Sequence, residues 1–175
     1  QPLGPTLLPP GPAEGEATMQ TLLMPLLERA EATASLQGRP WRGPDLWPQW
    51  IDQPSQDGTI AEIVANLLEN AFRYSPAGCS VGLCLLPDGL CVWDNGPPIP
   101  LEERDLIFER GARGSTGQDR AGTGLGLALA RSLAEQQGRK LTLCVEPSTI
   151  APDLPAQGNA FVLSWPAGAR PDPTT

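Results

Sequence analysis

Residues 59–76 read TIAEIVANLLENAFRYSP. The apolar residues of this stretch recur at helical spacing and form one continuous stripe, which predicts an amphipathic helix packed against a sheet. Thr59 and Glu62 have the spacing of a capping box, so the helix is predicted to run from Ile60 to about Tyr74 and to stop before Pro76. The stripe consists of Ile60, Ile63, Val64, Leu67, Leu68, Ala71 and Phe72.

Two asparagines on the same helix, Asn66 and Asn70, lie four residues apart and therefore share one side of it, with Arg73 further along. An isolated N-x-x-x-N spacing is most often a solvated helix face. The functional alternative is that an amide oxygen serves as a hard, neutral ligand for Mg²⁺, which keeps phosphate oxygens and waters as its other ligands. Arg73 would then face a phosphate group.

Charge and composition exclude several classes of function. The 175 residues carry a formal net charge of −8 and a sequence pI of about 4.5, which argues against non-specific binding to nucleic acid or to an anionic membrane. No apolar run has the length of a membrane span, and there is no signal-peptide pattern. Because the sequence contains no histidine, this chain cannot supply a histidine base, nucleophile or phosphate acceptor.

The cysteines indicate thiols rather than a metal site. None of the four forms a C-x-x-C pair, and no histidine is present to complete a zinc site. We therefore predict buried free thiols in a reducing compartment. They are Cys79, Cys84, Cys91 and Cys144.

The distribution of proline and glycine sets the predicted domain limits. Residues 1–18 are rich in both and are predicted to be a linker, residues 19–167 a single domain, and residues 168–175 a tail. Within the domain, helices alternate with strands and one strand pair is a tight hairpin. This order predicts an α+β protein, a two-layer α/β sandwich with a mixed sheet packed on one helical layer. The predicted elements are a helix at 22–36, short extended pieces at 41–51, a hairpin around 87–89, a short acidic-start helix after Pro100, a helix at 127–137, and the strands KLTLCV and AFVLSW.

Two glycine-containing motifs lie in the second half of the domain. In DNGPPIP, residues 94–100, Asp94 ends a strand and Gly96 lets the backbone turn closely. By itself this is an ordinary Asx-type turn, but a buried carboxylate there could accept a hydrogen bond from an adenine amino group. In GTGLGLALA, residues 122–130, the glycines lead into a helix whose free N–H groups could bind phosphate, although a flexible hinge is equally compatible.

Four motifs follow one another along the chain in the order N box, first glycine box, F box and second glycine box. Together they resemble the ATP-binding catalytic domain of sensor histidine kinases, within the gyrase, chaperone, histidine kinase and mismatch-repair ATPase superfamily. The resemblance covers about residues 20–166. It implies a Bergerat-type sandwich that binds ATP between the N-box helix and a mobile lid. The motifs are NLLENAFRYS for the N box, DNGPPIP for the first glycine box, LIFERG for the F box and GTGLGLALA for the second glycine box.

The resemblance also implies a role for each matching residue of the N box. Asn70 would coordinate Mg²⁺, and Asn66 would line the same catalytic site. Arg73 and Tyr74 would lie against the nucleotide.

Further roles are implied around the base and the phosphates. Asp94 would bind the adenine amine, Gly96 would allow its approach, and Phe108 would anchor a lid at 109–121. The triphosphate would be approached by backbone atoms of Gly122, Gly124, Leu125 and Gly126.

Two departures from the family pattern qualify these expectations. The first glycine box usually reads D-x-G-x-G, and here Pro98 replaces the second glycine, which stiffens the rim of the pocket. The phosphoacceptor histidine of the family is also absent. The resemblance therefore implies a cytoplasmic catalytic domain that belongs to a soluble or membrane-anchored kinase. Its expected partners are a separate dimerisation and phosphoacceptor domain and a downstream response regulator. No nucleic-acid partner is expected. The alternatives are an anti-sigma-type serine kinase and a non-catalytic nucleotide-binding interaction module.

Overall fold

The computed structural model describes residues 17–55, 58–109 and 126–166. The α-helices are α1 (Met19–Gln37), α2 (Thr59–Tyr74) and α3 (Gly126–Gln136), and short 3-10 helices span Gln49–Asp52, Leu101–Glu103, Leu106–Phe108 and Pro147–Thr149. The strands are β1 (Ala17–Thr18), β2 (Trp41–Arg42), β3 (Pro54–Ser55), β4 (Val81–Leu86), β5 (Gly89–Asp94), β6 (Lys140–Cys144) and β7 (Asn159–Ser164). No helix in these ranges has the length and apolarity that crossing a bilayer requires.

Five strands form the main sheet, in the order β2-β4-β5-β7-β6. β2 runs parallel to β4, and every other neighbouring pair is antiparallel, so the sheet is mixed. The predicted hairpin is confirmed: Leu86 pairs with Gly89 across a two-residue turn, and the register continues to the pair of Val81 with Asp94. β5 lies at the centre of the sheet and is buried along its whole length.

The apolar stripe of α2 packs against this sheet, as its spacing predicted. Six of its seven residues are buried. The seventh, Phe72, is half-buried, and its ring stacks on that of Trp41 with the centroids 6.3 Å apart. α1 adds a second buried stripe: Met19, Leu23, Leu27 and Ala30 join the same core, and Ala34 is also buried. The sheet and its helical layer confirm the predicted α+β sandwich.

Four local predictions differ from the structure. The extended pieces expected at 41–51 are wrong at their end, where Gln49–Asp52 forms a 3-10 helix. The capping box is wrong: α2 begins at Thr59 with Gly58 in the N-cap position, and the first turn is closed by the N–H of Glu62 donating to the Gly58 carbonyl. The single helix expected after Pro100 is instead the two 3-10 turns given above. α1 starts earlier than predicted because Thr18 caps it, its Oγ1 accepting from the N–H of Thr21 at 3.1 Å.

The cysteines are all free thiols, as predicted. Only Cys91 is fully buried, and the other three are half-buried. Cys84 and Cys91 face each other on β4 and β5. Their contact and burial together raise the pKa of the Cys91 thiol far above its ordinary value.

Candidate functional site

Asp94 is a buried carboxylate at the end of a central strand. Only 6% of its surface is exposed, and its Oδ1 accepts the N–H of Gly96 at 2.8 Å. Burial raises the pKa of Asp94, while hydrogen bonds from Gly96 and Asn159 and the positive charge of Arg39 act in the opposite direction. A fixed acceptor in a water-poor site is suited to recognise a small donor such as an amino group.

The turn after Asp94 is held by a side chain that the sequence analysis did not select. Asn159, at the start of β7, pairs in register with Asp94 and is buried. Its Nδ2 donates to the Pro97 carbonyl at 2.9 Å and to Asp94 Oδ1 at 3.4 Å, and its Oδ1 accepts the N–H of Ile99 at 2.8 Å. One amide thus bridges the backbone on both sides of Pro98, so the rim of the site is tied down where the family pattern has glycine.

A second glycine permits this close approach of β5 and β7. A Cβ on Gly158 would lie 2.0 Å from the carbonyl oxygen of Asp94 and 3.1 Å from Cα of Asn95. Backbone atoms cannot move aside as a flexible side chain can, so glycine is required at this position.

Gly158→Ala should therefore destabilise the domain and displace Asp94. We expect a cost of about 2 kcal/mol or more from the overpacking, which lowers the melting temperature by at least ~4 °C. Thermal denaturation followed by circular dichroism measures this change. Gly43→Ala is the matched control, since a Cβ there meets only Trp41 Nε1 at 3.6 Å. Equal melting temperatures for the two variants would contradict the crowding at Gly158.

The loop after α2 packs against the other side of the same turn. A Cβ on Gly96 would lie 3.0 Å from Pro76 Cδ and 3.6 Å from Cys79 Sγ. Ser80 donates its N–H to Asn95 Oδ1 at 2.8 Å and accepts the N–H of Asn95 at 3.2 Å. The end of the N-box helix is therefore joined directly to the turn that holds Asp94.

The two asparagines of α2 are both half-buried on successive turns of the helix. Asn66 Oδ1 lies 3.8 Å from the position that a Cβ on Gly126 would take. The structure therefore brings Asn66 next to Gly126, the first residue of α3 and the last glycine of the predicted second glycine box. Gly122, Gly124 and Leu125 lie outside the described residues.

Arg73 lies in the last turn of α2 and is half-buried. Its guanidinium forms an ion pair with Glu69 one turn earlier at 2.9 Å. With Asn66 and Glu69 it lines a cleft of about 550 Å³ between α1 and α2. Tyr74, the last residue of α2, is half-buried.

Phe108 is anchored between the sheet and α3. Its ring stands edge-on to Phe161 of β7, with centroids 6.0 Å apart, and the guanidinium of Arg131 lies 4.4 Å from its centroid. The predicted lid that Phe108 would anchor lies, beyond Glu109, outside the described residues.

The structure has the mixed sheet, the helical layer, the buried aspartate at the end of a central strand and the asparagine-bearing helix that the resemblance to sensor-kinase ATP-binding domains implies. The chain matches, over residues 56–169, the family described as histidine kinase-, DNA gyrase B- and HSP90-like ATPase, and it belongs to that family.

Curated relatives and solved structures agree with this family. The sensor histidine kinase Hik2 of Thermosynechococcus vestitus is 35% identical over 159 residues, covering 86% of this chain and 39% of the relative. The sensor protein KdpD of Escherichia coli is 34% identical over 121 residues, covering 66% of this chain and 13% of the relative. The chain therefore spans less than half the length of these proteins.

Among solved structures, the mycobacterial sensor histidine kinase MprB superposes with a TM-score of 0.62 at 25% identity, covering 86% of this chain and 97% of that one. The catalytic domain of histidine kinase ThkA gives the same TM-score at 21% identity, over 86% of this chain and 95% of that one, and supports the fold.

Proposed function

We propose that this chain binds Mg–ATP and donates the γ-phosphoryl group to a histidine on a separate dimerisation domain, as the catalytic domain of a two-component sensor kinase. The observation that carries the proposal is the buried carboxylate of Asp94, whose Oδ1 is fixed by the Gly96 N–H beside the end of the N-box helix. The family match and the sensor-kinase relatives support the same activity.

Recognition of the base would depend on Asp94 and on the turn that follows it. An ionised carboxylate accepts a hydrogen bond from the exocyclic amine of adenine, whereas guanine presents a carbonyl oxygen at the corresponding position. Because Gly96 has no side chain, the base can come close to the carboxylate of Asp94. Asn159 holds the rim, so this part of the pocket is formed before the nucleotide arrives.

The asparagines of α2 suit a magnesium nucleotide better than a metal held by protein alone. No cluster of three or more histidine, cysteine, aspartate or glutamate side chains suited to a metal occurs in the described ranges. Asn70, with Asn66 lining the site, offers amide oxygens, and Mg²⁺ takes few protein ligands when phosphate oxygens and waters supply the rest. When bound, Mg²⁺ neutralises charge on the triphosphate.

Phosphoryl transfer would then need positioning rather than covalent chemistry from this chain, and the acceptor must come from elsewhere because the chain has no histidine.

The test is transfer to a supplied acceptor. The chain is incubated with Mg²⁺ and γ-labelled ATP, with and without a dimerisation domain that carries the phosphoacceptor histidine of a sensor kinase. We expect ATP binding in both cases and acid-labile, base-stable label only on the added domain. Label of that kind on this chain, or no binding of ATP, would contradict the proposal.

The alternatives predict different results in the same experiment. An anti-sigma-type serine kinase would give acid-stable label on a partner protein. A non-catalytic module, which the Pro98 departure favours, would bind ATP and label no acceptor.

A further inference from the structure

Arg39 is a buried cation outside the motifs that define the nucleotide site. It follows Gly38, which ends α1 in the left-handed conformation at φ 65°, and only 7% of its surface is exposed. Its guanidinium lies over the ring of Phe72, 5.5 Å from the centroid. A buried charge is costly unless it is well hydrogen-bonded, so its partners indicate what it holds.

Those partners lie on the end of α2 and on the loop that follows it. Arg39 Nε donates to the Cys79 carbonyl at 2.8 Å, Nη1 donates to the Phe72 carbonyl at 3.4 Å, and Nη2 donates to Ser75 Oγ. Nη1 also donates to Gln37 Oε1 at 3.0 Å, within the same stretch as Arg39. The planar fork of an arginine can hold several backbone acceptors at once, which a lysine ammonium cannot reproduce.

We infer that Arg39 is a positioning residue for the adenine pocket, and this inference rests on the proposed function. The loop that Arg39 holds carries Pro76 and Cys79, which lie against Gly96, and continues to Ser80, which is hydrogen-bonded to Asn95 of the same turn. Gly96 in turn donates its N–H to Asp94. Two packed contacts therefore connect the guanidinium to the carboxylate that would accept the adenine amine.

The charge of Arg39 acts on the same carboxylate. The groups that affect the pKa of Asp94 are its own burial, which raises it, and the Gly96 N–H, the Asn159 amide and the Arg39 cation, which lower it. Removing the cation raises the pKa of Asp94 further. The ionised acceptor would then be lost at a higher pH as the solution is acidified, and ATP binding would be lost with it.

The test compares Arg39→Gln and Arg39→Lys with the parent by calorimetric titration of ATP across a pH series. Arg39→Gln should weaken ATP binding at neutral pH by about tenfold, as expected when charged hydrogen bonds no longer hold a binding element. It should also move the acidic limb of the binding profile to higher pH. Arg39→Lys should weaken binding but leave that limb near the parental position, because the charge is kept.

Lys140→Gln is the control, since Lys140 is an exposed cation on the edge strand β6, and it should change neither quantity. If the role of Arg39 were purely structural, Arg39→Gln would melt at a lower temperature, but its folded fraction would bind ATP with the parent's affinity and the parent's pH dependence. That result would overturn the inference. If Arg39→Gln does not fold, parental affinity in Arg39→Lys overturns it. If the parent binds no ATP, the proposed function fails as well.

Discussion

Asp94→Asn is expected to change nucleotide affinity and stability in opposite directions. The substitution replaces one acceptor oxygen by an amide N–H₂ donor, so a donor faces the adenine amine or the amide must turn and abandon the Gly96 N–H. Leaving a buried polar group unpaired costs about 1–3 kcal/mol. We therefore expect the dissociation constant for ATP to rise by more than about tenfold, measured by titration calorimetry.

Stability should respond the other way because the native state keeps Asp94 in a site that disfavours its charge. Burial raises the pKa of Asp94 above the ordinary value of 3.8, so the native state binds its proton more tightly than the unfolded state does. Stability from this group is thus greatest below that ordinary value and declines as pH rises through the raised pKa. Asn is neutral and can still accept the Gly96 N–H, so its melting temperature at neutral pH should exceed the parent's.

The comparison has a built-in check in its pH dependence. The advantage in melting temperature should shrink as pH falls, because a protonated Asp94 carries no charge to bury. Asp88→Asn is the control, because Asp88 is exposed in the β4–β5 hairpin turn. This variant should have the parent's ATP affinity and the parent's melting temperature at neutral pH. Unchanged ATP affinity in Asp94→Asn would remove Asp94 from the binding site.

The sequence was sufficient for those features in which the signal is periodic or local. The stripe of α2 is visible because burial repeats with the helical turn, and the β4–β5 hairpin is visible because its turn residues are adjacent. Asp94 and Gly96 are predicted as site residues for the same reason, since they belong to one short motif. Phe108 came from the F box, and the structure places it in the core against Phe161.

The residues that hold the site together carry no such signal. Asn159 bonds to Asp94 across 65 positions, and Arg39 reaches Cys79 across 40. An asparagine in a strand and an arginine after a helix are ordinary in isolation, so only the folded topology shows what they bind. By contrast, the ion pair of Arg73 with Glu69 follows directly from their spacing of four residues on one helix.

Asn70→Ala is expected to abolish phosphotransfer while leaving the fold in place. Asn70 is half-buried at the edge of the stripe rather than within it. Alanine is the better helix former by roughly 0.5 kcal/mol, which offsets part of the lost contacts. The melting temperature should therefore stay within about 2–4 °C of the parent's, the shift that ~1 kcal/mol produces in a domain of this size.

The functional loss should be much larger because Asn70 is the side chain proposed to hold Mg²⁺, without which the triphosphate charge is poorly neutralised during transfer. The variant should bind ATP more weakly than the parent, and its affinity should no longer depend on Mg²⁺ concentration, a readout that is independent of transfer. Gln136→Ala, which removes an exposed amide from α3, should match the parent in phosphotransfer, in ATP affinity and in the Mg²⁺ dependence of that affinity. If Asn70→Ala transfers phosphate to the acceptor domain as fast as the parent does, the assignment of Asn70 to the metal fails. If the parent binds Mg–ATP yet labels no acceptor, the interaction-module alternative is favoured instead.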